Sequence, residues 1–124
     1  VYPDPAGAAR KSSAGGKTDH TILQQWGFTV KARKGHPPVK DRINVTNRLL
    51  CNAADERNMF IDPKCKTVIE ALNKHQYKAG TNIPEKDAVK GYDGTTDSLG
   101  YMCEYLYPLR TEQPERTVKT FRRF

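Results

Sequence analysis

The amino-acid sequence predicts a small α/β domain in which helices are layered on a sheet. Residues 28–34 alternate between apolar and polar side chains, which is the period of a β-strand. Two later segments carry apolar residues at helical spacing, and a short apolar run separates them. The chain has 124 residues, which is enough for one hydrophobic core but not for two.

The predicted elements begin with the end of a strand. The first two residues lead directly into an Asp-Pro turn, and residues 8–17 combine small residues with cations, as a mobile surface loop does. A helix follows, with Thr18 or Asp19 as its N-cap and Gly27 at its end. The apolar side of this helix carries Ile22, Leu23 and Trp26.

After the strand at residues 28–34, the sequence predicts a helix, a short strand and another helix. The first of these helices ends near Cys51 and has Arg42 and Arg48 off its apolar side. The short strand spans residues 58–61 and is bounded by an Asp-Pro pair. The apolar positions are Val39, Ile43, Asn47 and Leu50 in the first helix, and Cys65, Val68, Ile69 and Leu72 in the second.

The last predicted helix runs from about Thr95 to Tyr107, after a long connection over residues 78–96. Its apolar face consists of Leu99, Met102, Cys103 and Leu106. Its polar face consists of Asp97, Tyr101 and Glu104. We expect residues 1–110 to form the domain and residues 111–124 to form a basic, flexible tail. The sheet of this domain is expected to lack its first strands.

The composition bears on partners and compartment. Lysine and arginine number 21 against 14 acidic residues, and this excess of seven favours a polyanionic partner, with nucleic acid first. A plain basic soluble protein is an equally good interpretation of the charge alone. Cys51, Cys65 and Cys103 are widely spaced, so we expect reduced, buried thiols and a reducing compartment. No apolar run approaches the roughly 20 residues of a membrane span, so a soluble intracellular protein is predicted.

Two carboxylates at the edges of predicted elements suggest chemistry. Asp4 follows the end of the first strand, and Asp97 lies on the polar face of the last helix. If that face lines a cleft beyond the carboxyl ends of the strands, the two side chains can hold Mg²⁺ or Mn²⁺ for phosphodiester cleavage. The alternative is that Asp4 is a turn residue, that Asp97 is an ordinary first-turn charge and that Asp93 is a cap.

Other chemistries are less well supported. His20, His36 and His75 lack partners at zinc-ligand spacing, and no phosphate-binding glycine loop is present. Cations near the predicted cleft are candidates for phosphate contact, although a solvated charged face is the simpler interpretation for any one of them. These cations are Arg10, Lys11, Lys17, Lys31, Arg33 and Lys34.

A series of short motifs resembles the C-terminal nuclease domain of the large subunit of tailed-bacteriophage terminases. The likeness extends from residue 1 to about residue 109. The motifs are residues 2–13, Thr18-Asp-His with Ile22-Leu23 and Gly27-Phe28, residues 41–44, residues 47–50, residues 60–66 and residues 96–101. Each motif is short, but their order over a hundred residues is specific.

The resemblance implies a ribonuclease H-like fold and a metal-dependent endonuclease that cuts concatemeric double-stranded DNA during packaging. Asp4 and Asp97 match two of the family's metal-binding carboxylates. Gly94 occupies the place where many relatives have a histidine, and Asp93 beside it is a third candidate ligand. Implied partners are DNA, the terminase small subunit and the portal protein, in the cytoplasm of the host cell and away from membranes.

The resemblance also predicts what this chain lacks. The family's first catalytic carboxylate lies upstream of the motifs found here, so the chain is expected to be the C-terminal part of a nuclease domain, able to self-associate through an unpaired sheet edge. Two alternatives remain open. One is a non-catalytic fragment that binds DNA or packaging proteins, and the other is a structural fragment whose carboxylates are only caps and turns.

Overall fold

The computed structural model describes residues 1–10 and 15–109. These residues form a helical structure with no β-sheet, and their only bridges are two isolated ones, between Arg10 and Thr18 and between Tyr77 and Pro84. The elements are a 3-10 turn at Pro5–Ala8 and the helices α1 (Asp19–Gln25), α2 (Val39–Leu50), α3 (Lys66–Lys74) and α4 (Tyr92–Leu106). The predicted α/β class and the ribonuclease H-like sheet are therefore wrong for the described residues.

Two of the three predicted strands, at residues 28–34 and 58–61, are irregular segments outside any sheet, and the first, at residues 1–2, is hydrogen-bonded to residues 28–34. In residues 28–34, the Val1 amino group donates to the Thr29 carbonyl at 2.7 Å, and the Lys31 N–H donates to the Val1 carbonyl at 2.9 Å. Residues 58–61 are fastened to the end of α2, because the N–H groups of Asn58 and Met59 both donate to the Leu49 carbonyl. A strand requires a ladder of such bonds along its length. The alternating pattern of residues 28–34 therefore did not identify a strand of a sheet.

The predicted self-association depended on an unpaired sheet edge, and it stays a prediction. The basic tail and residues 11–14 of the predicted loop lie outside the described residues. Within the described residues, no helix is long and apolar enough to cross a membrane.

All four predicted helices are present. The Thr18 hydroxyl caps α1 by accepting from the Thr21 N–H at 3.0 Å, and Gly27 follows the helix with a φ of +86°, which glycine adopts without strain. α4 begins at Tyr92, three residues before the predicted start, because Gly91 at φ +67° turns the chain into the helix.

The core is small and lies where α2 and α3 pack against α4. Its buried side chains are Val45, Leu49 and Cys103, and partly buried Met59, Leu99, Met102 and Leu109 surround them. Ala71 of α3 is also fully buried. α4 is the central element, since it contacts both of the other long helices.

The buried face of α2 differs from the predicted one. The buried residues are Arg42, Val45, Thr46 and Leu49, whereas the predicted positions Val39 and Asn47 are exposed. Two polar residues complete this face. The Thr46 hydroxyl donates to the Arg42 carbonyl at 2.9 Å, and one guanidinium nitrogen of Arg42, Nη1, donates to Asp97 of α4. The aliphatic stem of a buried arginine packs as an apolar group does.

The cysteines are free, as predicted, but only one is buried. Cys103 lies in the core, whereas Cys51 and Cys65 are exposed just outside the ends of α2 and α3. The prediction of three buried thiols is wrong for these two because both residues flank a helix and lie off its packed face.

Candidate functional site

Asp4 stands at the start of the 3-10 turn, where its side chain has two roles. Its Oδ1 accepts the Ala6 N–H at 2.8 Å and so caps the turn. The same oxygen lies 2.7 Å from Nε2 of His36, and both side chains are about half exposed. A second histidine, His20, contacts the Asp4 carbonyl oxygen through its Nε2 at 2.9 Å.

Asp97 lies in the second turn of α4 and pairs with Arg42 of α2. The Arg42 Nη1 donates to the Asp97 Oδ1 at 2.9 Å, with the arginine side chain 7% exposed and the aspartate side chain 48% exposed. The Arg42 Nε is buried and has no hydrogen-bond partner among the described residues. The arginine is thus held inside the fold, while its carboxylate partner remains open to solvent.

Tyr101 joins the two carboxylates. The guanidinium carbon of Arg42 lies 4.4 Å from the centre of the Tyr101 ring, a cation–π distance. The centre of the Tyr101 ring also lies 6.4 Å from that of His36, whose Nε2 contacts Asp4. The structure therefore brings Asp4 and Asp97 into one group of side chains. We call this group the carboxylate cluster, and its members are Asp4, His36, Arg42, Asp97 and Tyr101.

The environment of the cluster shifts two pKa values. Desolvation raises the pKa of Asp4, but hydrogen bonds from Ala6 and His36, the His36 charge and a hydrogen bond from Tyr101 outweigh it, so the pKa falls below its usual 3.8. Desolvation raises the pKa of Tyr101. The Arg42 charge lowers this pKa, the carboxylates of Asp4 and Asp97 raise it, and the net shift is upward. Asp4 is therefore ionised, and Tyr101 is a neutral donor at neutral pH.

Asp93 lies in the first turn of α4, four residues before Asp97. Residues four apart share a face of a helix, so Asp93 is on the Asp97 side of α4. Gly94, beside it, has open space where a side chain would lie. Among the described residues, no group of three or more histidine, cysteine, aspartate or glutamate side chains is arranged to hold a metal ion.

Asp4 and Asp97 are the type of ligand that a hard divalent cation prefers, but two carboxylates alone do not fill its coordination shell. Carboxylate oxygens are the ligands that Mg²⁺ and Mn²⁺ prefer, and one or two carboxylates with water and substrate oxygens are the usual Mg²⁺ set. Asp4 and Asp97 are both about half exposed, so an ion can reach them. Each already has a cationic neighbour, with which an incoming ion would compete.

The predicted phosphate-contacting cations differ in their surroundings. Arg10, Lys17 and Lys34 are exposed, and Lys17 contacts Gln25 through its Nζ at 3.4 Å. Lys31 lies 6.0 Å from the Tyr2 ring. Arg33 pairs with the buried Glu104 at 2.5 Å, so its guanidinium has a structural role. Lys11 lies outside the described residues.

Sequence reasoning missed Arg42 and His36 as members of the cluster. Arg42 stands three residues before Val45 and seven before Leu49, so the spacing of the buried face could have included it. His36 precedes two prolines, a combination typical of a turn. No pattern in the sequence indicates that the turn brings the imidazole to Asp4.

Comparison of this chain with protein-family models, with curated proteins and with solved structures found no match. The likeness to terminase nuclease domains therefore depends on the sequence motifs alone.

Proposed function

We propose that this chain is the nuclease portion of a viral DNA-packaging terminase and acts in metal-dependent hydrolysis of DNA phosphodiesters. The observation that carries the proposal is that Asp4 and Asp97, which come from opposite ends of the described chain, are linked through His36 and Arg42, whose side chains both lie near the Tyr101 ring. These are the two carboxylates that the terminase-like motifs single out. A net charge of +7 suits a protein whose substrate is a polyanion.

In this proposal, Asp4 and Asp97 hold Mg²⁺ or Mn²⁺, with Asp93 as a third candidate ligand. An ion held by these carboxylates would supply Lewis-acid chemistry, namely activation of water and neutralisation of charge on the scissile phosphate. The protein's own groups fix the ligands: the Ala6 N–H and His36 orient Asp4, and Arg42 orients Asp97. The raised pKa of Tyr101 keeps its hydroxyl protonated, so Tyr101 adds no negative charge beside the two carboxylates.

A second candidate function is favoured by a specific observation. Arg42 already neutralises Asp97 in a contact that is buried on the arginine side. If this ion pair persists in the working protein, the chain binds DNA or a packaging protein without cutting. Both functions predict salt-sensitive DNA binding, so binding to duplex DNA does not separate them.

Nicking of a supercoiled plasmid in Mn²⁺ separates the two functions. The nuclease function predicts nicking that EDTA abolishes and that Asp4→Asn strongly reduces. Asp62→Asn is a matched control, because Asp62 also precedes a proline and also accepts a backbone N–H two residues ahead, at 2.8 Å, outside the cluster. Asparagine keeps that acceptor in both variants.

If the folded chain does not nick, or if Asp4→Asn and Asp62→Asn nick equally, the nuclease proposal is wrong. Salt-sensitive binding without metal-dependent nicking would then support the non-catalytic function.

A further inference from the structure

A cavity of about 170 Å³ lies between α2, the end of α3 and the start of α4, next to Asp97. Pockets for drug-sized ligands measure about 300–1,000 Å³, so this cavity is suited to a single ring system. The residues that matter for its chemistry are Arg42, Asn47, Leu72, Gln76, Tyr77 and Asp97.

The cavity wall that carries Gln76 and Tyr77 is held by hydrogen bonds. The Glu85 N–H donates to the Gln76 carbonyl and the Lys78 N–H donates to the Ile83 carbonyl, both at 2.9 Å. These bonds fold residues 76–85 back on themselves, with Tyr77 opposite Pro84. His75 connects this loop to α4, because its Nε2 lies 2.8 Å from the Glu85 carbonyl oxygen and its Nδ1 lies 2.8 Å from the Thr96 hydroxyl.

The lining of the cavity favours a neutral, planar, hydrogen-bonding ligand. Its two charged groups, Arg42 and Asp97, are paired with each other, so neither a free anion nor a free cation is matched. The Asn47 amide offers donors and an acceptor, and the Gln76 amide offers its oxygen and one N–H besides the one that it donates to the Glu85 carboxylate at 3.5 Å. A purely aliphatic ligand would leave these groups unpaired. Leu72 and the Tyr77 ring supply apolar and aromatic surface. A nucleobase has all of these complementary features.

We propose that this cavity binds the base of an unpaired DNA nucleotide beside the carboxylate cluster. The inference rests on the proposed action on DNA and makes it more specific. A base in a duplex is stacked and paired, so the cavity favours single-stranded, frayed or flipped nucleotides. Tyr77 lines the cavity and is 46% exposed, so its ring is available to stack on the base.

Binding of a short fluorescent oligodeoxyadenylate, measured by anisotropy in EDTA, tests this inference without requiring cleavage. The comparison strand has the same backbone but abasic residues. The oligodeoxyadenylate should bind more tightly than the abasic strand. Tyr77→Ala should weaken binding of the oligodeoxyadenylate by about fivefold to a hundredfold. Affinity for the abasic strand should not change, because the substitution leaves the charge and the phosphate contacts as they are.

Tyr107→Ala is the matched control, because Tyr107 is similarly exposed, at 54%, and does not line the cavity. It should leave both affinities unchanged, and circular dichroism should show that both variants are folded. Equal binding of the two strands, absence of binding, or an equal loss in both variants would overturn the inference.

The outcome is distinguishable from that of the nuclease proposal. Metal-dependent nicking with equal binding of both strands would refute only the base site. Base-dependent binding without nicking would refute only the nuclease.

Discussion

At the scale of single residues, Arg42 makes the most consequential contacts in the described structure. Its side chain is 7% exposed, pairs with Asp97 and lies over the Tyr101 ring. A buried charge that loses its partner costs more free energy than the intact pair contributes. Arg42 therefore makes Asp97 important to the fold as well as to the proposed site.

Replacing Asp97 should destabilise the protein. In Asp97→Ala the buried guanidinium loses its charged acceptor, and we expect the free energy of unfolding to fall by about 1–3 kcal/mol. The loss should be below that of a fully buried pair because Asp97 is half exposed. Urea denaturation measures the change. The double variant Arg42→Met with Asp97→Ala should recover part of the stability, and a single variant as stable as the parent would contradict the argument.

The Asp4 carboxyl should titrate below its usual pKa of 3.8 in the folded state. A lowered native pKa means that the ionised form contributes stability above the unfolded-state pKa, and that this contribution is lost as pH falls through the native value. Carboxyl-carbon NMR measures the midpoint. His36→Gln should move it upward because the His36 charge is removed, while an unchanged midpoint would show that the contact is not formed.

Cys103 should react much more slowly with a disulfide reagent than the other two cysteines. Burial raises the pKa of the Cys103 thiol, and a hydrogen bond with Thr46 lowers it by a smaller amount. Because the thiolate is the reactive form, a raised pKa slows the reaction. Cys51 and Cys65 are exposed. A colorimetric thiol assay should show two fast groups in the native protein and three after unfolding in guanidinium. Three equal rates in the native protein would contradict the burial of Cys103.

At the scale of elements, the contact between α2 and α4 depends on Gly100. A Cβ atom at this position would lie 3.2 Å from the Arg42 Cβ, which is tighter than ordinary packing. Gly100→Ala should therefore push the two helices apart.

We expect Gly100→Ala to cost about 1–3 kcal/mol of unfolding free energy by overpacking. Gly94→Ala is its control in the same helix, because open space surrounds that position. It should stabilise the protein by roughly 0.5–1 kcal/mol, since alanine favours helix. Thermal denaturation of the two variants shows whether each substitution lowers or raises the melting temperature. Equal shifts in both would show that the close approach of α2 to Gly100 is absent.

The helices could be predicted from the sequence because local signals specify them. The Thr18 cap, the glycine after α1 and the apolar spacing of α3 all act within a few residues. The sheet was predicted wrongly because alternation over residues 28–34 indicates extended backbone, whereas a sheet needs a partner strand from elsewhere. The buried face of α2 was missed because Arg42 is buried only through contacts with α4, 55 residues away at Asp97.

At the scale of the whole molecule, the chain has a small core and a large positive charge. Few apolar side chains are buried among the residues that the structure describes, and Trp26 and Phe60 are 79% and 84% exposed. The carboxylate cluster is therefore held mainly by polar contacts between distant segments. Sequence reasoning named Asp4 and Asp97 but not their partners, because motifs identify residue types while ion pairs depend on the tertiary fold.

The central claim is that Asp4 and Asp97 share a divalent cation. Calorimetric titration with Mn²⁺ of the parent, Asp4→Asn, Asp97→Asn and the double variant tests this claim most directly, with Asp62→Asn as control. We predict that each single substitution weakens binding by about tenfold or more, that their effects are not additive because both ligands serve one ion, and that the control binds normally. Mn²⁺ affinity that is unchanged in both single variants, with their fold intact, would contradict the claim.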